Sequence, residues 1–412
     1  VTGAIARAPG AGRTTVPRPV SLPPASAPRR LRVLTVIDHL SGGGAERAAV
    51  EIATRLAARH DVTVVGSREA QDGPAATALR DAGLRVLALD RTATRRAWEW
   101  APVVRELRRA RVDVLHTHLF GSNAWGPALR RLGGARALVA HEHTPFLRRG
   151  GVRAWGAQGA VNPWIVGPFA DRVLVPSTWS LRALVDHERV PERKVRVVPN
   201  GAPEGVALPA AERAALRRAL GLEPDDVAVV VSAMLRPEKG HATALRALAL
   251  LRERHPRVRL LVVGGGPAQD REGTGPELRR LASELGVADA VRFAGRREDV
   301  PAVLAASDVA LLPSDHENLP LALLEHLAAG LPVVATAVGG IPDAVTDGVH
   351  ALLVPPGEPR AMADALARTL DDPSAARVRA AAGRDRHAER YTWDAVAGAV
   401  EAQYVEALGL RA

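Results

Sequence analysis

Two glutamates eight positions apart, Glu317 and Glu325, stand out in the segment Pro313-Ser314-Asp315-His316-Glu317-Asn318-Leu319-Pro320-Leu321-Ala322-Leu323-Leu324-Glu325. Asn318 is a favoured helix N-cap and Pro320 suits a first turn, so the spacing predicts a helix beginning at Asn318, with Glu317 in the loop ahead of it. Glu325 then lies beside the apolar stripe Leu321, Leu324, Ala328, on the inward side. A carboxylate there needs a donor, and ribose or sugar hydroxyls are suitable ones. The N–H groups of the helix start, around Ser314, Asn318 and Leu319, suit a phosphate.

A second group is Leu235-Arg236-Pro237-Glu238-Lys239-Gly240-His241, after a predicted strand. Arginine is forked and lysine a point charge, and the two together can neutralise a diphosphate. Lys239 gains weight from composition, since the chain has 55 Lys+Arg and its only lysines are Lys194 and Lys239. A glycine turn, Ser41-Gly42-Gly43-Gly44-Ala45-Glu46-Arg47, follows the first predicted strand and opens a helix, so Gly43 and Gly44 are candidates for close backbone approach to a phosphate. It lacks the dinucleotide spacing, and Val65-Gly66-Ser67 stands where an acidic ribose ligand would close the second strand, which disfavours NAD.

Two histidine pairs end strands of the first half: His116 with His118, and His141 with His143. Their alternate spacing resembles that of metal ligands. With Glu142 the only nearby carboxylate, acceptor-hydroxyl recognition or proton handling is the preferred expectation, His118 being the catalytic candidate. No metal and no cofactor are expected. Trp100 continues the stripe Val103, Val104, Leu107 and reads as core, whereas Trp155, beside the Arg- and Gly-rich segment 147–153, is an acceptor-side candidate.

The elements that must position these groups follow from the chain as a whole. Its 412 residues suit two α/β cores. The absence of cysteine excludes disulfides, thiolate nucleophiles and cysteine-ligated zinc, and suits a cytoplasmic protein. Residues 1–205 carry a balance of +14 and residues 206–412 one of −4. With no zinc finger or RNP-type strand, the basic half points away from nucleic acid and toward an acidic acceptor or the anionic inner face of a membrane. The apolar stretch 319–342 is interrupted by Glu325, glycines and prolines, so no spanning segment is expected.

Residues 1–29, rich in Ala, Pro and Arg, read as a disordered tail. Short β-branched runs then alternate with helical periods, the pattern of doubly wound parallel sheets. Residues 30–200 form an expected acceptor-side Rossmann-like domain, 201–209 a linker and 210–385 a second Rossmann-like domain. Residues 386–412 form a helix that can cross back to the first domain.

Together these motifs resemble retaining glycosyltransferase family four over about Arg32 to Leu408. The most specific part is Glu317 and Glu325 followed by Ala329-Gly330-Leu331-Pro332 and Val338-Gly339-Gly340-Ile341-Pro342. The resemblance implies a GT-B fold, a nucleotide diphosphate sugar donor held mainly by the second domain, metal independence and retention of configuration. It also implies that Glu325 holds the ribose, Glu317 meets the transferred sugar and Lys239 meets the diphosphate. The acceptor would be a glycan, a lipid-linked sugar or a small molecule. The chain departs from the family at Met234, where an arginine is common and Arg236 is the candidate replacement, at Ala202-Pro203 and at Asp343. The competing readings are a nucleotide-sugar epimerase of the same fold and a non-catalytic, membrane-associated sugar-nucleotide-binding protein.

Overall fold

A computed structural model describes residues 29–40, 43–69, 73–91, 96–143, 161–265 and 273–410. The expectations for the tail before residue 29, for Ser41 and Gly42, and for Trp155 lie outside these residues. Strands β1 (Arg32–Ile37), β2 (Asp61–Gly66), β3 (Arg85–Ala88), β4 (Val114–His118), β5 (Ala137–His141), β6 (Arg172–Val175) and β7 (Val195–Val197) form one parallel sheet in the order β3-β2-β1-β4-β5-β6-β7. A second parallel sheet, β10-β9-β8-β11-β12-β13, contains β8 (Val227–Ser232), β9 (Val258–Val263), β10 (Val291–Gly295), β11 (Val309–Leu312), β12 (Val333–Thr336) and β13 (Leu352–Val354). Helices cover both faces of each sheet, which is why the central strands read as unbroken apolar runs; β4, β5, β11 and β12 are buried at every residue.

Strand order reverses beside β1 and β4 in the first sheet and beside β8 and β11 in the second. Loops leaving the carboxyl ends of strands at such a reversal diverge and open a crevice. Those loops carry Gly43, Lys239 and Glu317, and His118 is the last residue of β4.

The last helix, Trp393–Ala407, packs on Gly44–Ala57 and adds Trp393, Val396, Ala397, Val400 and Tyr404 to the core of the first sheet. Burying aromatic side chains of this size contributes on the order of 2–3 kcal/mol each. The preceding helix, Pro373–Arg390, packs on Leu321–Ala328 of the second domain. The C-terminal segment therefore straps the two domains together. Gly201 touches the Trp393 ring, and Ala202 bridges Thr392, so the interdomain connection runs beside the strap.

Candidate functional site

The loop after β8 makes a short turn, Pro237–Lys239, and reverses at Gly240 with φ of 69°. A Cβ on Gly240 would lie 1.8 Å from the Pro313 carbonyl oxygen, so the loops following β8 and β11 touch backbone to backbone. Only glycine combines that torsion with that approach. On the far side, a Cβ on Gly339 (φ 55°) would lie 1.8 Å from the Glu317 carbonyl oxygen. Glu317 is thus held in a slot between two glycine turns.

The consequence is an ion pair: Lys239 Nζ donates to Glu317 Oε1 at 2.7 Å, and Ser314 Oγ donates to the same oxygen at 2.9 Å. The Lys239 side chain is 19% exposed and that of Glu317 8%. An ammonium has three N–H donors, so the pair leaves two for an anion in the crevice. Glu317 Oε2 has no hydrogen-bond partner among the described residues. Arg236 stands outside this arrangement, exposed and 3.9 Å from Glu238.

Glu325 lies on the inward side of its helix and finds a partner in the other domain: Arg47 Nη1 donates to its Oε1 at 2.6 Å. Burial pushes the Glu325 carboxyl above the usual carboxylate range, and the Arg47 guanidinium pulls it partly back. Arg47 lies in the first turn after Gly43 and Gly44, and a Cβ on Gly44 would meet Leu321 at 3.5 Å. The glycine turn therefore faces the start of the Glu325 helix.

Asn318 does not cap that helix, contrary to the sequence expectation. The helix starts at Leu321, with Pro320 at the N-cap position, because the Asn318 side chain is taken by the other domain. Its Oδ1 accepts from Ser177 Oγ at 2.5 Å, and its Nδ2 donates to the His143 carbonyl at 2.7 Å. The Leu319 side chain is buried in the second-domain core, and its carbonyl accepts from Asn200 Nδ2. A contact not foreseen lies beside these: the Thr178 amide and hydroxyl both donate to the Asp343 carboxylate at 2.6 Å. The capping box of Ser177 and Ser180 was the available signal for this turn, since it leaves Thr178 at the first helical position.

The histidines, expected to meet acceptor hydroxyls or to handle protons, are withdrawn from solvent. His116, His118, His141 and His143 are buried and stack into one cluster, with ring centroids 4.1 Å apart for His116 and His118 and 4.2 Å for His141 and His143. The reason is register: His118 of β4 pairs with His141 of β5, so the alternate positions of both strands share one sheet face. The last helix covers that face, and Tyr404 Oη lies 2.7 Å from His116 Nδ1. Burial lowers His116 to about 3 and His143 to about 4, and drives His118 and His141 well below the usual range, with mutual repulsion adding to both. All four rings are neutral at pH 7, which argues against a proton reservoir here.

Two family models match this chain: "Glycosyltransferase Family 4" over residues 42–204 and "Glycosyl transferases group 1" over residues 225–372. The first runs from the turn after β1 through β7, and the second contains all of β8 to β13. The chain belongs to glycosyltransferase family 4. A D-inositol 3-phosphate glycosyltransferase of Acidothermus cellulolyticus is 39% identical over 248 residues, covering 59% of this chain and 54% of that protein. The corresponding protein of Streptomyces avermitilis is 37% identical over 246 residues, covering 58% and 52%. The chain thus matches about half the length of these curated relatives.

The GT-B arrangement of this family is shared with solved structures. Anabaena Alr3699/HepE in complex with UDP superposes with a TM-score of 0.79 at 22% identity, covering 91% of this chain and 100% of that one. Sucrose-phosphate synthase of Thermosynechococcus elongatus gives 0.72 at 24% identity, covering 91% and 98%.

Proposed function

We propose that this family 4 chain transfers a sugar from a nucleoside diphosphate sugar to an acceptor, with retention of configuration and no metal in the chemical step. The observation that carries the proposal is the Lys239, Glu317 and Ser314 arrangement at the crevice. The two free N–H groups of Lys239 meet the diphosphate, and the charge that grows on the leaving group in the transition state is stabilised there. Glu317 Oε2 accepts from a hydroxyl of the transferred sugar. Glu325 accepts from the ribose, which takes over the hydrogen bond now given by Arg47. Arg236, at the rim, supplies a second cation when the loop closes on the donor. Gly43 and Gly44 allow the acceptor-side backbone to approach the phosphates. No side chain of the enzyme is asked to form a covalent bond.

UDP in the Anabaena complex makes a uridine donor the first to test, and the inositol phosphate relatives make a phosphorylated polyol the first acceptor. The +14 balance of residues 1–205 suits such an acceptor. The experiment is to supply a panel of nucleoside diphosphate sugars with D-inositol 3-phosphate and follow free nucleoside diphosphate and product anomer by NMR. Retained configuration in a new glycoside supports the proposal. Epimerised donor without transfer supports the epimerase reading instead, and neither product would leave a sugar-nucleotide-binding protein.

Membrane docking is part of the proposal. No helix among the described residues is long and apolar enough to cross a membrane. The face between helices Ala101–Ala110 and Leu119–Gly133 carries an apolar groove lined in part by Val104, Trp125 and Leu132, the last 54% exposed, and Trp98, just ahead of the first helix, is 71% exposed. Arg105, Arg108, Arg109 and Arg131 stand exposed on the same two helices. Aromatic anchors beside arginines suit an anionic lipid surface. Salt-sensitive co-sedimentation with anionic but not neutral vesicles is the expected outcome.

A further inference from the structure

We propose that the first domain carries a transition-metal site of the zinc class, formed by His116, His118 and His141 beneath the C-terminal helix. The site goes beyond the transferase reading and does not depend on it. Three observations converge on it.

The first is placement. His116 and His118 alternate along β4 and therefore share a face, and the register puts His141 of β5 beside His118 on that same face. One ring nitrogen from each of the three lies within 4.8 Å of the others. A zinc ion bound at ~2.0–2.1 Å asks for nitrogens about 3.4 Å apart, a contraction that small side-chain rotations supply.

The second is the state of the nitrogens. His116 Nε2, His118 Nε2 and both nitrogens of His141 are buried and have no hydrogen-bond partner among the described residues. Buried polar atoms are nearly always satisfied by protein, water or an ion. Here each of three residues in one cluster carries at least one such atom.

The third is the outer shell. A metal-bound imidazole is normally oriented by a hydrogen bond at its other nitrogen. His116 Nδ1 has the Tyr404 hydroxyl at 2.7 Å, and His118 Nδ1 has His143 Nε2 at 3.1 Å. When these Nδ1 atoms carry the protons, the unpartnered Nε2 lone pairs of His116 and His118 are left for a metal. Three protein ligands leave a fourth position for a solvent oxygen. Because Tyr404 belongs to the helix that straps the domains together, the ion would fasten that strap to the first sheet.

The test uses the full chain, stripped with a chelator and then titrated with zinc in competition with a chromophoric chelator, without nucleotide. One zinc per chain is expected. Cobalt(II) should give the intense visible band of four-coordinate nitrogen ligation. His141→Ala removes a ligand without breaking a hydrogen bond, so it should keep its fold by circular dichroism and bind zinc at least 100-fold more weakly. Tyr404→Phe, which acts through His116, should weaken zinc about 10–100-fold and leave the cobalt band in place. His255→Ala, in the other domain, is the control. Zinc binding unchanged in His141→Ala, or a weak six-coordinate cobalt spectrum in the wild-type chain, would overturn the proposal. In that case the orphan nitrogens belong to buried water.

Discussion

The two domains place their titratable side chains on opposite principles. On the second domain, charge is kept and paired: Lys239 with Glu317, and Glu325 with Arg47 from across the gap. On the first, titratable rings are taken out of water altogether, and burial, helped by their mutual repulsion, keeps them neutral. A paired charge that retains free donors is ready to meet an anion, and its electrostatics are already organised before the ligand arrives. A desolvated cluster of neutral rings offers little to an anion and much to a structure or a metal. The difference is consistent with the proposed placing of the donor's diphosphate against the second domain.

The contrast can be broken most severely at Gly240. Gly240→Ala must leave φ of 69° or push the Pro313 carbonyl away, so Lys239 and Glu317 should separate. A stability loss on the order of 3 kcal/mol is expected from strain plus the displaced loop, read by urea denaturation. An alanine variant of wild-type stability would mean that the two loops are not pressed together.

The two glutamates sharpen the contrast. Glu325→Gln should weaken the free nucleoside diphosphate and the intact donor alike, by roughly 1.5–3 kcal/mol, because its proposed partner is the ribose. Glu317→Gln should weaken only the sugar-bearing donor to that extent. Calorimetry with both ligands separates the roles, and equal effects on both ligands would remove them.

The second domain also buries two neutral imidazoles, and these should make it sensitive to acid. Burial lowers His326 to about 3 and His241 to about 4, Lys239 adding repulsion at His241. Their folded values lie below the unfolded one, so the stability they confer is fully present above pH ~6.5 and is lost as pH falls toward 4. Each contributes a slope of about 1.4 kcal/mol per pH unit in that window. His326→Gln, which can still meet Ser232 Oγ, should flatten the profile of denaturation midpoints by one such slope.

The smallest effect is expected at the other lysine. Lys194 Nζ donates to the carbonyls of Gly167 at 3.0 Å and Pro168 at 2.7 Å, tying down a helix end. Lys194→Ala should cost about 1 kcal/mol of stability and leave turnover intact. Lost turnover at retained stability would be the contrary result.

What the sequence could disclose is visible in these same residues. The strands of both sheets were legible because buried parallel strands are rich in β-branched residues; β13 was not, since its three residues, Leu352–Val354, include a single β-branched one. Lys239 and Glu317 were legible as types in loops, but their 2.7 Å contact depends on Gly240 and Gly339 holding two loops together. The Asn318 cap failed because local propensity gave way to partners 141 and 175 positions away. Arg47 and Glu325, 278 positions apart, left no local trace of their pairing. The histidines were found by spacing, yet only the β4/β5 register shows that two pairs make one buried cluster.

The central claim, that Lys239 serves the diphosphate, is tested most directly by the single-turnover rate of donor consumption at saturating donor and acceptor, comparing the wild-type chain with Lys239→Ala. A cation aimed at charge that develops in the transition state is worth about 100–1000-fold in rate. The account predicts a loss of that order in a folded variant, with donor affinity reduced far less. A rate within a few-fold of the wild type would contradict it and return Lys239 to the role of a loop residue paired with Glu317.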